Sequence, residues 1–397
     1  MTQGFSFLHH LECPECGKAF EPDELQTICR ACDSPLLARY DLAGVKARLA
    51  KDALTARPAT LWRYHELLPV RDPSWIVTLG EGGTPLFPAP RLGRKLGLSR
   101  LEIKDEGLNP TGTFKARGLS VAVSRALELG IRGFAIPTAG NAGGALAAYA
   151  GRAGLPAHVF MPEDAPEANR AEVIRSGAKL HLVPGLINDA GRVMSRMAPE
   201  AGLFDMSTLR EPYRLEGKKT MGYEIALDRR WELPDVIVYP TGGGTGLVGI
   251  WKAFQEMEEL GWIGSRRPRL VCVQAEECAP IVQAFQADRD RAVLFAQAQT
   301  IAAGLRVPHP FADRLILRAI RESGGTALTV TDSEMSAVRT LIASTEGIQA
   351  CLEGAATVAA LRKLIDSGLI QSTERVVCLN TGTAYKDPLL PGETTPV

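Results

Sequence analysis

The chain has 397 residues, 45 Lys and Arg against 45 Asp and Glu, 45% hydrophobic and 6% aromatic residues, which allows a sizeable core and excludes disorder as the dominant state. A formal charge of zero lacks the electrostatic footprint of a protein whose main partner is nucleic acid or an anionic membrane, so the expected partner is a small molecule. No run approaches the roughly 18 uncharged apolar residues of a membrane span. Met1 to Phe5 contains no basic stretch leading into an apolar one, and a cytoplasmic protein is expected.

In chain order, the first feature is Cys13-x-x-Cys16 followed, after twelve intervening residues, by Cys29-x-x-Cys32. Each pair is a two-residue knuckle, and the spacing between pairs fits the hairpins of a zinc ribbon whose four thiolates share one tetrahedral zinc. Two disulfides would need an oxidising compartment, which nothing in the sequence suggests. Around these cysteines Glu12, Glu15, Glu21, Asp23, Glu24 and Asp33 outnumber Lys18 and Arg30, the wrong balance for a phosphate-binding surface; a structural clip is expected. Cys272 and Cys378 lie in apolar runs and read as buried, reduced thiols.

A helical stretch of mixed charge is expected over 42–68, then an entry segment, Leu79-Gly80-Glu81-Gly82-Gly83-Thr84-Pro85-Leu86. Beyond it, short β-branched runs alternate with longer amphipathic ones: 101–104, 134–136, 157–161, 179–183, 236–239, 270–273 and 376–379. Such alternation predicts parallel sheets covered by helices on both faces. About 300 residues of it exceed one sheet and core, so two α/β domains are expected, with the ligand between them or at the carboxyl ends of their strands. A loose tail is expected from Pro388.

Three segments run from an extended stretch into small or polar residues that can open a helix. In Asn109-Pro110-Thr111-Gly112-Thr113-Phe114-Lys115-Ala116-Arg117-Gly118, a lysine in a first helical turn is disfavoured by the macrodipole, which lowers its pKa and suits an imine-forming nucleophile. In Val238-Tyr239-Pro240-Thr241-Gly242-Gly243-Gly244-Thr245-Gly246-Leu247, consecutive glycines after a strand let backbone N–H groups converge on a phosphate at the start of a helix expected over 248–260. No Walker lysine follows, which argues against a nucleoside triphosphate. In Ile136-Pro137-Thr138-Ala139-Gly140-Asn141, small residues permit close approach of a planar ligand, Asn141 offers a neutral donor, and a helix start can receive a carboxylate.

Together these motifs resemble the tryptophan-synthase-type (fold type II) pyridoxal-phosphate enzymes and, more narrowly, the threonine synthase family. The likeness spans about residues 10–388 and includes Tyr213-Arg214-Leu215-Glu216-Gly217-Lys218-Lys219-Thr220 and Thr381-Gly382-x-x-x-Lys386-Asp387. It implies a zinc ribbon over 1–45, a large cofactor domain of 46–120 and 216–397, and a small mobile α/β domain of 121–215. It further implies Lys115 as the Schiff-base lysine, Asn141 at the ring phenolate oxygen, Gly242, Gly243, Gly244, Thr245 and Gly246 at the cofactor phosphate, and Thr381 at the pyridine nitrogen. Thr138, Gly140 and Asn141 would receive the substrate carboxylate. Arg214 and Lys218, with Arg117 and Lys219 as further cations, would meet the substrate phosphate. The implied enzyme is a homodimeric carbon–oxygen lyase that turns O-phospho-L-homoserine and water into L-threonine and phosphate.

The chain departs from that family's pattern at Ala116, Ala139, Glu211 and Thr383. Glu211 would repel a substrate phosphate unless Arg214, Lys218 or Lys219 pairs with it. The phosphate loop and Thr300-Ile301-Ala302-Ala303-Gly304-Leu305 also resemble threonine/serine ammonia-lyases, which perform β-elimination alone. A phosphoserine-type replacement enzyme and a non-enzymatic zinc-ribbon scaffold are the other readings.

Overall fold

The computed structural model describes residues 4–387; the tail expected to be loose, 388–397, lies outside the described residues. The N-terminal region forms an antiparallel ribbon of β1 (Leu8–Glu12), β2 (Ala19–Phe20) and β3 (Leu37–Tyr40), ordered β2-β1-β3. The helix expected over 42–68 is broken: α1 (Leu42–Arg48) is followed by two 3-10 segments, Lys51–Ala56 and Leu61–Leu67. Pro58 lies between them, and a proline both lacks an N–H and drives its predecessor, Arg57, out of helical backbone.

The remainder is α/β. In order come β4 (Leu86–Pro88), α2 (Pro90–Leu96), β5 (Arg100–Asp105), α3 (Lys115–Glu128), β6 (Phe134–Pro137), α4 (Asn141–Arg152), β7 (Ala157–Pro162), α5 (Glu167–Arg175), β8 (Lys179–Val183), α6 (Ile187–Glu200) and β9 (Phe204–Asp205). Then follow α7 (Tyr213–Asp228), β10 (Val236–Pro240), α8 (Thr245–Glu259), β11 (Arg269–Ala275), α9 (Pro280–Gln286), α10 (Asp313–Glu322), β12 (Thr326–Val330), α11 (Asp332–Glu346), α12 (Leu352–Asp366) and β13 (Arg375–Asn380). All seven β-branched runs are strands. They fall into a six-stranded sheet, β12-β11-β10-β13-β5-β4, and a four-stranded one, β8-β7-β6-β9. Every pairing in these two sheets is parallel except that of β4 with β5. Among the described residues no helix is long and apolar enough to cross a membrane.

Three helices are packed so closely that glycine is required where they meet. A Cβ on Gly217 of α7 would lie 2.1 Å from the Arg117 carbonyl oxygen of α3, and one on Gly118 would lie 2.8 Å from the Arg214 carbonyl oxygen. Gly249 of α8 likewise faces the Lys219 backbone at 3.0 Å. Backbone contact at these crossings brings the start of α3 against the second turn of α7, and so sets Lys115 beside Lys218.

Candidate active site

Parallel sheets place their loops at the carboxyl ends of the strands, and a crevice forms there. Neighbouring strands β10 and β13 lead just beyond their ends into Gly242 and Thr381, while β6 of the smaller sheet leads into Thr138. The segment leading to α3 is tied to the end of β13 by Phe114 N–H donating to the Thr381 carbonyl (3.1 Å) and Thr383 N–H to the Gly112 carbonyl (2.9 Å). Between the sheets lies a cavity of about 920 Å³ whose walls include Lys115, Thr138, Gly140, Asn141, Gly242, Gly243, Gly244, Thr245, Lys218 and Thr381.

Lys115 opens α3 with no acidic residue in the first turn. Its Nζ lies 4.4 Å from the Phe114 ring centroid and makes no hydrogen bond among the described residues. Burial, then the Arg214 charge, brings its pKa down to about 8, with Glu353 and Cys351 opposing. The depression foreseen from the helix end is thus present, but burial is its principal cause.

The glycine loop has little room for side chains. A Cβ on Gly242 would stand 2.2 Å from the Gly304 carbonyl oxygen, one on Gly244 2.2 Å from Ile316 Cδ1, and one on Gly246 1.9 Å from Tyr239 Oη. Gly244 caps α8 at φ +71°, a left-handed conformation that only glycine adopts readily. The helix therefore begins at Thr245, three residues before the expected start. Gly246 lies inside its first turn, off the cavity wall. At the other wall, Gly140 N–H donates to Thr138 Oγ1 (3.0 Å), and the Asn141 side-chain oxygen is buried without a hydrogen-bond partner. Such an orphaned polar atom points to a missing ligand group.

The candidate cations separate sharply. Arg117 is wholly buried and gives its donors to Glu106 (2.6 Å) and Glu224 (2.6 Å), off the cavity wall; it locks the approach to α3. Lys219 pairs with Glu216 (2.6 Å) and Glu256 (3.0 Å), also away from the cavity. Neither is placed to meet a substrate phosphate. Lys218 is on the wall. Arg214 is buried off the wall, its Nη1 donating to the Met206 carbonyl (2.6 Å) while Nε and Nη2 have no hydrogen-bond partner. Lys218 forms no ion pair among the described residues, whereas Arg214 Nε pairs with Glu211 Oε1 (3.9 Å), both buried.

Glu211 does not face the cavity either. Its Oε2 accepts from Tyr213 N–H (2.8 Å) and Arg214 N–H (3.0 Å), capping the start of α7, and burial raises its pKa to about 7 against the pull of Arg214. Residues that the motifs did not identify also line the cavity, among them Ser207, Thr208, Arg306, His309 and Glu353. They sit in irregular segments or at a helix start without a repeating pattern; nearby, only the stretch 300–305 carried a signal.

The ribbon contributes nothing to the cavity wall. Its four cysteines are free thiols, and their Sγ atoms lie within 4.8 Å of one another, a donor set and spacing that fit one closed tetrahedral zinc site.

A free amine, a glycine cradle at a helix start and an unpaired carboxamide fit a planar aldehyde cofactor with a phosphate arm. A family profile described as pyridoxal-phosphate dependent enzyme matches residues 77–382. The threonine synthase of Methanosarcina acetivorans is 39% identical over 383 residues, covering 96% of this chain and 93% of the relative. That of Methanocaldococcus jannaschii is 38% identical over 377 residues, covering 95% and 92%. Among solved structures, maize serine racemase superposes with a TM-score of 0.66 at 21% identity, covering 76% of this chain and 88% of its own, a likeness of fold alone. Pyridoxal phosphate is the cofactor, and the four cysteines of the ribbon are compatible with a structural zinc. Matched along almost its whole length at well over 30% identity, the chain belongs to the threonine synthase family of pyridoxal-phosphate-dependent enzymes.

Proposed function

We propose that this enzyme converts O-phospho-L-homoserine and water to L-threonine and phosphate. The observation that carries this is the match to threonine synthases over nearly the full chain. The cavity supports it with three amines on its wall, Lys115, Lys218 and Lys386, of which Lys386 is paired with Glu172.

Bound pyridoxal phosphate supplies an electron sink for the carbanion formed at an amino acid's Cα. In our reading Lys115 Nζ binds it and afterwards moves the α-proton. Gly242, Gly243, Gly244 and Thr245, which line the cavity, would hold its phosphate, Asn141 would donate to its phenolate oxygen and Thr381 would meet its pyridine nitrogen. A hydroxyl there does not force that nitrogen to be protonated, which favours elimination and replacement over transamination. Thr138, Gly140 and Asn141 receive the substrate carboxylate. Lys218, backed by Arg214, meets the substrate phosphate as a second proton leaves Cβ and the phosphate leaves Cγ. Charge then grows on the departing group, so these cations act in the transition state.

This reading includes a cytoplasmic homodimer with no nucleic-acid partner, and a division into a ribbon of 1–45, a large domain of 46–120 and 216–397, and a small mobile domain of 121–215. The test is separate incubation with phosphohomoserine, threonine, serine and phosphoserine, assaying phosphate, threonine and keto acid. Phosphate and threonine from the first substrate are expected. Keto acid from threonine or serine, with phosphohomoserine inert, would overturn the assignment.

A further inference from the structure

The crossing of α3 and α7 leaves two amines over one aromatic ring: Lys115 Nζ at 4.4 Å and Lys218 Nζ at 4.8 Å from the Phe114 centroid, both on the cavity wall. Lys218 Nζ makes neither a hydrogen bond nor an ion pair among the described residues. Burial first, then the charges of Lys115 and of Arg214 one turn earlier on α7, disfavour its proton, and the Glu211 carboxyl before α7 opposes them. Lys218 therefore releases a proton far more readily than an ordinary lysine. An entering phosphate dianion reverses that balance.

We infer that Lys218 is a further catalytic residue, which takes up a proton as the substrate phosphate enters and passes it to the departing phosphate. The inference rests on the phosphohomoserine reading. When the Cγ–O bond breaks, its electron pair goes to the ester oxygen, and a dianionic ester would depart as a phosphate trianion, a much stronger base. A proton moved from Lys218 Nζ to that oxygen makes the product a dianion and leaves Lys218 neutral, ready to be reprotonated from water in the next cycle. Of the other cations foreseen from the sequence, Arg214 is off the wall and a guanidinium does not release its proton, and Lys219 is held between Glu216 and Glu256; Lys386, also on the wall, is paired with Glu172.

The test compares cofactor-loaded wild type, Lys218→Gln and Lys218→Arg on phosphohomoserine and on 2-amino-3-butenoate, an olefinic amino acid from which the phosphate is already absent. Lys218→Gln should lower kcat on phosphohomoserine by about 10²–10⁴-fold, the usual contribution of a general acid, and should spare conversion of butenoate to threonine. Lys218→Arg, which keeps the charge but not a transferable proton, should fail to rescue. Equal losses on both substrates, rescue by Arg, or an unchanged kcat would overturn the inference. Calorimetric titration of the loaded enzyme with inorganic phosphate, in buffers of different ionisation heat, should show proton uptake in wild type and less in Lys218→Gln; equal uptake counts against it. Lys218→Met replaces the Gln variant if the latter loses its visible cofactor band. Wild type that releases no phosphate from phosphohomoserine sinks the substrate reading and this one with it, an outcome distinct from those above.

Discussion

Lys115 shows how much one residue's chemistry depends on what surrounds it. With its pKa at about 8, against about 10.4 for an ordinary lysine, the neutral amine is available roughly two pH units earlier. The cofactor-free protein mixed with pyridoxal phosphate should therefore develop its visible band at a rate that climbs with pH and levels above about 8. A rate still climbing steeply near pH 10 would contradict the buried-amine account. Lys115→Ala should show no such band from the free cofactor and almost no turnover, and borohydride reduction with peptide mapping should place the adduct on Lys115 in wild type. That Lys115, Asn141 and Gly242, Gly243 and Gly244 share one cavity wall was legible in the sequence, because the roles proposed for them each demand particular residue types. Arg117 was not. It stands two residues from Lys115 and read as a phosphate ligand, but Glu106 and Glu224, the latter more than a hundred residues away in the chain, take all its charge.

At the scale of elements, the ribbon is a separate three-stranded sheet fastened to the larger one's helices by polar contacts. Tyr40 Oη donates to Glu216 (2.8 Å), Glu15 pairs with Arg314 (2.7 Å) and Arg318 (3.0 Å), and Arg125 pairs with Asp23 (2.8 Å). Four thiolates fill a zinc tetrahedron and leave no open position for a reactive water, so the metal's contribution is to folding. Chelation should lower Tm, by about 2–4 °C for each kcal/mol lost in a chain of this order of size, while the visible band and turnover persist below the new transition. Turnover lost in step with zinc at low temperature would contradict a structural role. Element type was readable where a β-branched run stood between turn residues, as in Val236–Tyr239. It was not readable in Thr326–Val330, whose threonines dilute the apolar run, nor in the two-residue β9, which exists only because β6 offers it an edge. The 42–68 stretch had helical composition throughout, and Pro58 overrode it.

Across the whole molecule, the cavity is bounded by two sheets, and ion pairs join them at its rim. Lys386, beyond β13, reaches Glu172 of α5 and the Thr111 carbonyl (3.1 Å), and Arg306 reaches Asp164 beyond β7 (3.0 Å). The first pair is well shielded, with side-chain exposures of 15% and 18%; the second is open, at 30% and 60%. Exposed pairs contribute about 0.2–1 kcal/mol, so the Lys386–Glu172 tie should dominate. Gly144 makes that tie possible, because a Cβ there would stand 1.9 Å from Glu172 Oε2 and push the carboxylate aside. If the small domain moves to admit substrate, as we propose, the tie favours the closed arrangement and substrate binding benefits from it. Glu172 itself is off the cavity wall, so Glu172→Gln should leave the cofactor band intact and raise KM several-fold with little change in kcat. Asp164→Asn should do less. Steady-state kinetics on both variants checks the argument: a fall in kcat at constant KM would place the tie in the chemical step, and no change in either would show that the sheets keep their closed arrangement without it.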